Sequence, residues 1–369
     1  MDNLRESARK AATAFVLQGE VIDVSRYGSG HINDTFLLLC RDGEKEFKYI
    51  LQRMNHDVFK DIEGLIHNVK GVTTFLRCRI IENHGDPDRE TLNLLPTKEG
   101  MDYYRDEDGN YWRIYLFIAG ASCYDQVKRP EDFYQSARAF GRFQCLLADF
   151  PASALNETIP NFHNTPIRFQ AFEEAVAQDK MGRVSEVEKE IQFVREREKE
   201  MGLALAMQKD GLLPLRVSHN DTKLNNIMID DTTGEALCII DLDTIMPGFS
   251  IFDYGDSIRF GANTAQEDEV ELSKVSLSLP LFEVYTKGFL EGCEGRLTKE
   301  ELDMLPYGAK MMTLECGMRF LTDYLQGDTY FHISREKQNL DRCHTQFALV
   351  ADMEKKWEEM LQIVDKYRG

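Results

Sequence analysis

No window of this 369-residue sequence approaches the roughly 18 consecutive apolar residues that cross a membrane. The first fifteen residues, MDNLRESARKAATAF, lack the apolar core of a secretory leader. There is no long tract of proline, glycine or serine, which excludes fibrous, linker-like and low-complexity chains. The eight cysteines, Cys40, Cys78, Cys123, Cys145, Cys238, Cys293, Cys316 and Cys343, include no C-x-x-C pair and no Cys/His cluster at zinc-ligand spacing. Buried, reduced thiols are the expectation, and together these absences point to the cytoplasm. Positive charge is also scarce: 44 Lys and Arg against 63 Asp and Glu leave a net charge of −19. Nucleic acid and anionic membrane both need clustered basic residues to displace counterions, so neither is an expected partner. A small molecule is, and no protein partner is implied.

What is present is a globular composition, 43% apolar and 29% charged. At roughly 150 residues per domain the length suggests about two domains. Residues 3 to 17 place apolar groups at helical spacing. GEVIDVSRYGSGHINDTFLLLCRDGEKEFKYILQRMN then reads as three strands, with RDGEK as a hairpin signal and YGSGHIN as a glycine-rich turn. Ile62, Leu65, Val69, Val72 and Leu76 share one face of a helix from about 58 to 76. DEDGN turns the chain into the aromatic, β-branched strand YWRIYLFI. Beyond AGAS the pattern becomes helical: a helix over 133 to 150, a long charged helix over 186 to 208, and helices from about residue 265 onward. One hairpin interrupts them, with DTTGE as its turn and ALCIIDLD as its second strand. The expected division is a β-rich portion over residues 1–118 and a helical one over 119–369.

The chemistry concentrates in RVSHNDTKLNNIMID and the strand after it. His219, Asp221 and Asn226 form H-x-D-x-x-x-x-N, and twenty residues after Asp221 the apolar run delivers Asp241 and Asp243 in IIDLDT. Phosphoryl transfer asks for such a set: one carboxylate to take a proton from a hydroxyl, and an amide oxygen with a second carboxylate to hold Mg²⁺ against nucleotide phosphates. A polar hairpin whose Asp and Asn merely cap turns is the bland alternative to the first motif alone. The second motif at that distance, with a β-rich portion upstream, displaces it.

With RYGSGHINDTFLL, YILQRMN, CIIDLDTIMPG, DYGDSIRFGA and LECGMRFLTDYLQGDTYF, these segments resemble the aminoglycoside phosphotransferase and choline kinase group of protein-kinase-like small-molecule kinases. The resemblance runs in order from about residue 15 to 350. GHIN, DSIRFG and CGMRFLTDYL are similar to the N-acetylhexosamine 1-kinases within that group. It implies an α+β, two-lobed protein-kinase-like fold, with a small mixed sheet followed by a mostly helical lobe. It also implies ATP and Mg²⁺ as cofactors, and phosphorylation of the anomeric hydroxyl of GlcNAc or GalNAc. By the same resemblance Asp221 is the base, Asn226 and Asp241 are metal ligands, and Asp243 neighbours the metal. His219 shapes the loop, Asp253 holds it from below, and Lys223 lies near the transferred phosphate. Gly28, Ser29 and Gly30 would cover the phosphates, Phe117, Ile118 and Ala119 would meet the adenine, and the acceptor would meet His31, Asn33, Asp256, Arg259, Arg319 and Tyr330, besides Asp221.

One departure stands out. The third strand of such kinases carries a lysine for the α and β phosphates, whereas YILQRMN has Gln52 at that alignment and Arg53 beside it. Arg53 or Lys48 is the expected substitute, or the metal carries more of the load; Glu63 is the weak candidate for the helix acid that normally pairs with that lysine. Kinases for aminoglycosides, choline or homoserine, and a nucleotide-binding regulatory protein, remain alternative readings.

Overall fold

A computed structural model describes residues 2–28, 32–124 and 129–368. The chain opens with α1 (Asp2–Ala12), β1 (Glu20–Arg26), β2 (Asp34–Asp42), β3 (Lys45–Met54), α2 (Ile62–Glu82), β4 (Leu94–Leu95), β5 (Tyr104–Arg105), β6 (Tyr111–Leu116) and β7 (Ala121–Ser122). It continues through α3 (Pro130–Leu146), α4 (Thr165–Gln178), α5 (Glu188–Arg195), α6 (Glu198–Met201), α7 (Leu203–Lys209), β8 (Arg216–Ser218), β9 (Ile227–Asp230), β10 (Ala236–Ile239) and β11 (Met246–Gly248). It closes with α8 (Ser250–Gly261), α9 (Leu279–Cys293), α10 (Lys299–Asp303), α11 (Leu305–Gln326), α12 (Gln338–Lys355) and α13 (Trp357–Tyr367). Among the described residues no helix is long and apolar enough to cross a membrane.

Two compact units emerge, each discontinuous in sequence. The first comprises residues 1–122, 153–159 and 228–246, and the second 123–152, 160–227 and 247–369. In the first, the sheet order is β1-β2-β3-β6-β4, with β5 also on β6. Every pairing in it is antiparallel, where a mixed sheet was expected: a tight reversal at Asp42↔Lys45 returns β3 along β2, and β6, reached only after α2, runs antiparallel to β3 and β4. Alternation sorts its two faces. Phe36, Leu38, Cys40, Tyr49, Leu51, Trp112 and Ile114 point to one face and pack on Ala8, Ala11, Ala12 and Phe15 around α1. Each large apolar side chain fully buried there contributes about 1.5–3 kcal/mol. The opposite face carries Thr35, Gln52 and Arg113 side by side, because the registers Thr35↔Gln52 and Gln52↔Arg113 run through three strands.

The second unit is helical. On α8 and α11 the backbones touch: a Cβ on Gly308 would lie 2.2 Å from the Ile251 carbonyl oxygen, and one on Gly255 would lie 2.3 Å from that of Gly308. Helix α3 meets α9 in the same manner at Gly141 and Gly292. The long charged helix expected over 186 to 208 is three pieces, α5 to α7. At the first break Arg197 folds over the Phe193 ring and pairs with Glu354, and at the second Gly202 supplies no helix-favouring side chain. Ile191, Val194, Met201 and Ala204 stay buried through both breaks, so packing overrides the helical run. Cys78 and Cys123 are exposed, against the expectation of buried thiols.

The segments 153–159 and 228–246 are fastened to the first unit by Asn68 of α2, which is 1% exposed. Its Nδ2 donates to the carbonyls of Asn156 (2.8 Å) and Ile245 (2.9 Å), and its Oδ1 accepts from the Asn156 amide at 2.8 Å. Asn68→Ala strands the buried Ile245 carbonyl and loses two part-buried bonds to Asn156, and is expected to cost about 1–3 kcal/mol, the scale of one orphaned buried group. Chemical denaturation measures it, and a loss under 0.5 kcal/mol by the same order-of-magnitude scale would refute the fastening role.

Candidate active site

In the second unit the segment after β8 is held by one carboxylate. Asp253 of α8 is fully buried, and its Oδ1 accepts from the Ser218 hydroxyl (2.8 Å) and the Asn220 amide (2.9 Å). Its Oδ2 accepts from the His219 amide (2.9 Å) and from Gln144 Nε2 of α3 (3.0 Å). Burial pushes this carboxyl up from its ordinary value, while His219 and the donated hydrogen bonds pull it back. Thr222 Oγ1 donates to the Asp253 carbonyl, and Ser257 donates to the Thr222 carbonyl. The His219 ring lies edge-on against Phe140 and Phe143 and accepts from the Asp221 amide at 3.3 Å. The loop-shaping position expected of His219 and the supporting position expected of Asp253 are where the structure puts them.

Between these anchors Asn220 takes a left-handed backbone, φ 64°, a conformation Asn tolerates better than most residues. Asp221 follows on the turn. Its Oδ1 lies 2.7 Å from Lys223 Nζ, and its Oδ2 accepts from Asn226 Nδ2 at 3.1 Å. Asn226 also donates to the Asp221 carbonyl at 2.8 Å, which commits its nitrogen and leaves its amide oxygen as the donor for a cation. Asp256 and Arg259, one turn apart on α8, form a buried pair rather than a surface one: Nε and Nη2 reach Asp256 Oδ1 at 3.0 and 2.9 Å. Asp256 Oδ2 accepts from the Thr222 amide at 3.2 Å, which ties this pair to the Asp221 turn. Burial works against the Asp256 charge, but Arg259, Lys223 and His163 hold its carboxyl below the ordinary 3.8.

Arg319 of α11 faces three aromatic rings, Phe162, Tyr330 and Phe331, at 5.4–5.7 Å. The structure therefore brings together Arg319 and Tyr330, and Tyr330 is 68% exposed. Arg168 stands in the same neighbourhood: its guanidinium is shifted down by burial and by the charge of Arg319. The nearby acid, Glu315, is engaged on both oxygens, by His163 Nδ1 (2.8 Å) and by the Thr165 hydroxyl (2.6 Å). His163 and Glu315 escaped the sequence reading, although an acid four residues before an arginine within an apolar helix is a legible signal. His163 Nε2 is buried without a hydrogen-bond partner.

In the first unit, Asp241 is exposed and left-handed, φ 58°, at the head of a single 3₁₀ turn, Leu242–Thr244. Asp243 is 3% exposed. Its Oδ2 accepts from Asn33 Nδ2 at 2.6 Å and its Oδ1 lies 2.6 Å from Arg113 Nη1. Both oxygens of Asp243 and both polar ends of Asn33 are thus spoken for, the latter also accepting from the Asn55 amide. Arg53 turns to the other face of β3 and binds Asp34 at 2.5 and 2.8 Å, Lys48 lies over the Phe117 ring, and Glu63 accepts from Tyr103. None of these three stands beside Gln52. The residue that does is Arg113, which the sequence reading missed although it is the one charge in YWRIYLFI.

Phe117, Ile118 and Ala119 follow β6, and the Ala119 carbonyl accepts from Arg89. Gly28 has φ 76° and open space around its Cβ position. Ser29, Gly30 and His31 lie outside the described residues. Among the described residues no three His, Cys, Asp or Glu side chains gather as a metal cluster. Asn226 in the second unit and Asp241 in the first each offer the hard oxygen that Mg²⁺ takes, an ion that keeps several waters and uses one or two carboxylates plus substrate phosphates.

An antiparallel sheet unit with a helical unit and an H-x-D turn is the architecture of kinase-like small-molecule phosphotransferases. Residues 23–274 match the phosphotransferase enzyme family, and the chain belongs to it. Its fold is similar to an aminoglycoside phosphotransferase from Alicyclobacillus acidocaldarius, with a TM-score of 0.62 at 13% identity over 97% of this chain and 96% of that one. A choline kinase from Cryptosporidium parvum is similar at 0.53 and 14% identity, over 100% and 99%. A spectinomycin phosphotransferase in complex with ADP and spectinomycin is similar at 0.54 and 13%, over 96% and 98%.

The direction of the Asp256 shift sets a pH test. A carboxyl held below its unfolded value contributes stability that is full above about pH 4 and is lost as pH falls through the lower folded value. Asp256→Asn should therefore destabilise the protein at pH 7, and the difference from wild type should shrink as the pH falls below about 4. Urea titrations across pH 3–7 measure it; a difference that stays constant would show that Asp256 is not the stabilised charge.

Proposed function

We propose that the protein transfers the γ-phosphoryl group of ATP to the anomeric hydroxyl of an N-acetylhexosamine, GlcNAc or GalNAc. Asp221 accepts the hydroxyl proton. Lys223 and Asn226 hold one carboxylate oxygen each, so the remaining lone pairs have a set direction toward an incoming hydroxyl. Because phosphoryl transfer goes through a loose transition state, positioning and charge neutralisation matter more than a strong base. Asn226 and Asp241 would hold Mg²⁺, whose chemistry there is to neutralise charge on the nucleotide phosphates. Asp243, engaged by Arg113 and Asn33, orients that segment rather than ligating the metal. The ADP bound to a solved relative supports nucleotide use.

The acceptor reading rests on the surroundings of Arg319. A cationic acceptor, such as choline or an aminoglycoside, needs acids to meet it. Here Arg319 and Arg168 lie together among aromatic rings, and Glu315 is already committed to His163 and Thr165. Guanidinium donors beside aromatic faces suit a neutral, hydroxyl-rich ring, and the resemblance of GHIN, DSIRFG and CGMRFLTDYL narrows that to N-acetylhexosamines.

ADP release measured over GlcNAc, GalNAc, choline, kanamycin and homoserine tests the reading, with turnover expected on the amino sugars alone. Efficient phosphorylation of choline or kanamycin with none of the sugars would overturn the acceptor assignment. Asp221→Asn keeps the side chain's shape and should lower kcat by about 10²–10⁴-fold while the melting temperature holds. An unchanged kcat would remove Asp221 from the base role.

A further inference from the structure

We propose that Arg113 is the cation that meets the nucleotide phosphates in this protein, replacing from strand β6 the lysine that β3 lacks, with Gln52 as its brace. The inference rests on the kinase reading above. Gln52 and Arg113 are direct cross-strand partners. Gln52 Oε1 accepts from Arg113 Nε (2.9 Å) and Nη2 (2.7 Å), while Gln52 Nε2 donates to Thr35 Oγ1 at 3.1 Å. A lysine at position 52 would place an ammonium directly opposite the guanidinium, a repulsive pair. The neutral amide at 52 and the arginine at 113 are therefore two halves of one arrangement: the positive charge has moved one strand across.

Bracing uses only part of the guanidinium. Arg113 is 1% exposed, and its Nη1 forms a 2.6 Å ion pair with Asp243 Oδ1, so that with Nε and Nη2 on Gln52 only part of the five-donor guanidinium is engaged. Two residues along the same face, the Tyr115 hydroxyl is buried without a hydrogen-bond partner, and the guanidinium lies 5.1 Å over its ring. Native interiors leave few donors unpaired, because each costs about 1–3 kcal/mol. The unpartnered Tyr115 hydroxyl, beside the N–H groups that Gln52 and Asp243 leave open, marks where an anionic oxygen belongs. Asp241 lies close enough for its charge, like that of Asp243, to act on Arg113. A phosphate brought to a cation on Asp241 thus comes within the field of the guanidinium.

The test is nucleotide binding without sugar, by displacement of a fluorescent nucleotide with ATP, ADP or adenosine in the presence of Mg²⁺. Arg113→Gln should weaken ATP and ADP by about 10- to 100-fold, the scale of a lost charge-assisted contact, and leave adenosine within about twofold on the same scale. Gln52→Lys combined with Arg113→Gln returns a cation to the third strand and should recover most of the ATP affinity. Unchanged ATP affinity in Arg113→Gln, or equal weakening of ATP and adenosine, would overturn the proposal. Because Arg113→Gln leaves Asp243 buried and unpaired, Arg113→Gln with Asp243→Asn removes both charges. That pair should restore the melting temperature while discrimination of ATP from adenosine stays lost. Recovered ATP affinity there would reduce Arg113 to neutralising Asp243 and sink the phosphate role. Wild-type protein that binds no nucleotide would instead refute the kinase reading itself.

Discussion

The Asp253 carboxylate carries the geometry of the second unit. Four donors converge on it, three from the Ser218–Asn220 segment and one from Gln144, so a single buried anion decides where the next residue, Asp221, stands. Burying a carboxylate is costly unless its lone pairs are filled, and here two of the four donors are backbone amides of the segment that must be held. The close approach of α8 and α11 at Gly255 and Gly308 follows the same logic one layer out, since α8 carries Asp253, Asp256 and Arg259. A larger side chain at either glycine would shift the helix on which three polar supports depend.

The first unit solves a parallel problem with different groups. Asn68 ties the segment ending at Met246 to α2 through backbone carbonyls, and Asn33 and Arg113 take the two oxygens of Asp243. Asp241 is left on a turn whose left-handed backbone costs about 1–2 kcal/mol for most residues, less for Asp. Such strain persists only where neighbours over-determine it. The bonds to Asp243 and to the Ile245 carbonyl, two and four residues on, are those neighbours.

Much of this was legible in the sequence. The hairpins at RDGEK and DTTGE, the strand YWRIYLFI and the helices lining Leu65 and Phe140 follow from turn chemistry and periodicity, which are local. H-x-D-x-x-x-x-N was legible because its spacing is itself the geometry. Register was not: nothing in YILQRMN says that Gln52 faces Arg113, sixty-one residues later, so Lys48 and Arg53 were as good by sequence as the residue that stands there. The break of the 186–208 helix was hidden for a similar reason, because the Arg197–Glu354 pair joins residues far apart in the chain.

On the proposed reading, α11 rather than the Asp221 turn would set which acceptor this chain takes. Phosphoryl transfer on that reading requires the same few oxygens whatever the acceptor, so Asp221, Asn226 and Asp241 would carry no information about it. Acceptor choice has to come from residues outside that set. Glu315 illustrates how: left alone it would attract a cation, but His163 and Thr165 occupy both oxygens, and Arg319 one turn later adds positive charge to the same face. The rings of Phe162, Tyr330 and Phe331 then give that charge apolar walls rather than counterions. If the acceptor meets Arg319, as proposed, an ammonium-bearing one would find its own charge repeated there, whereas a sugar ring would find donors for its hydroxyls and an aromatic face for its C–H groups.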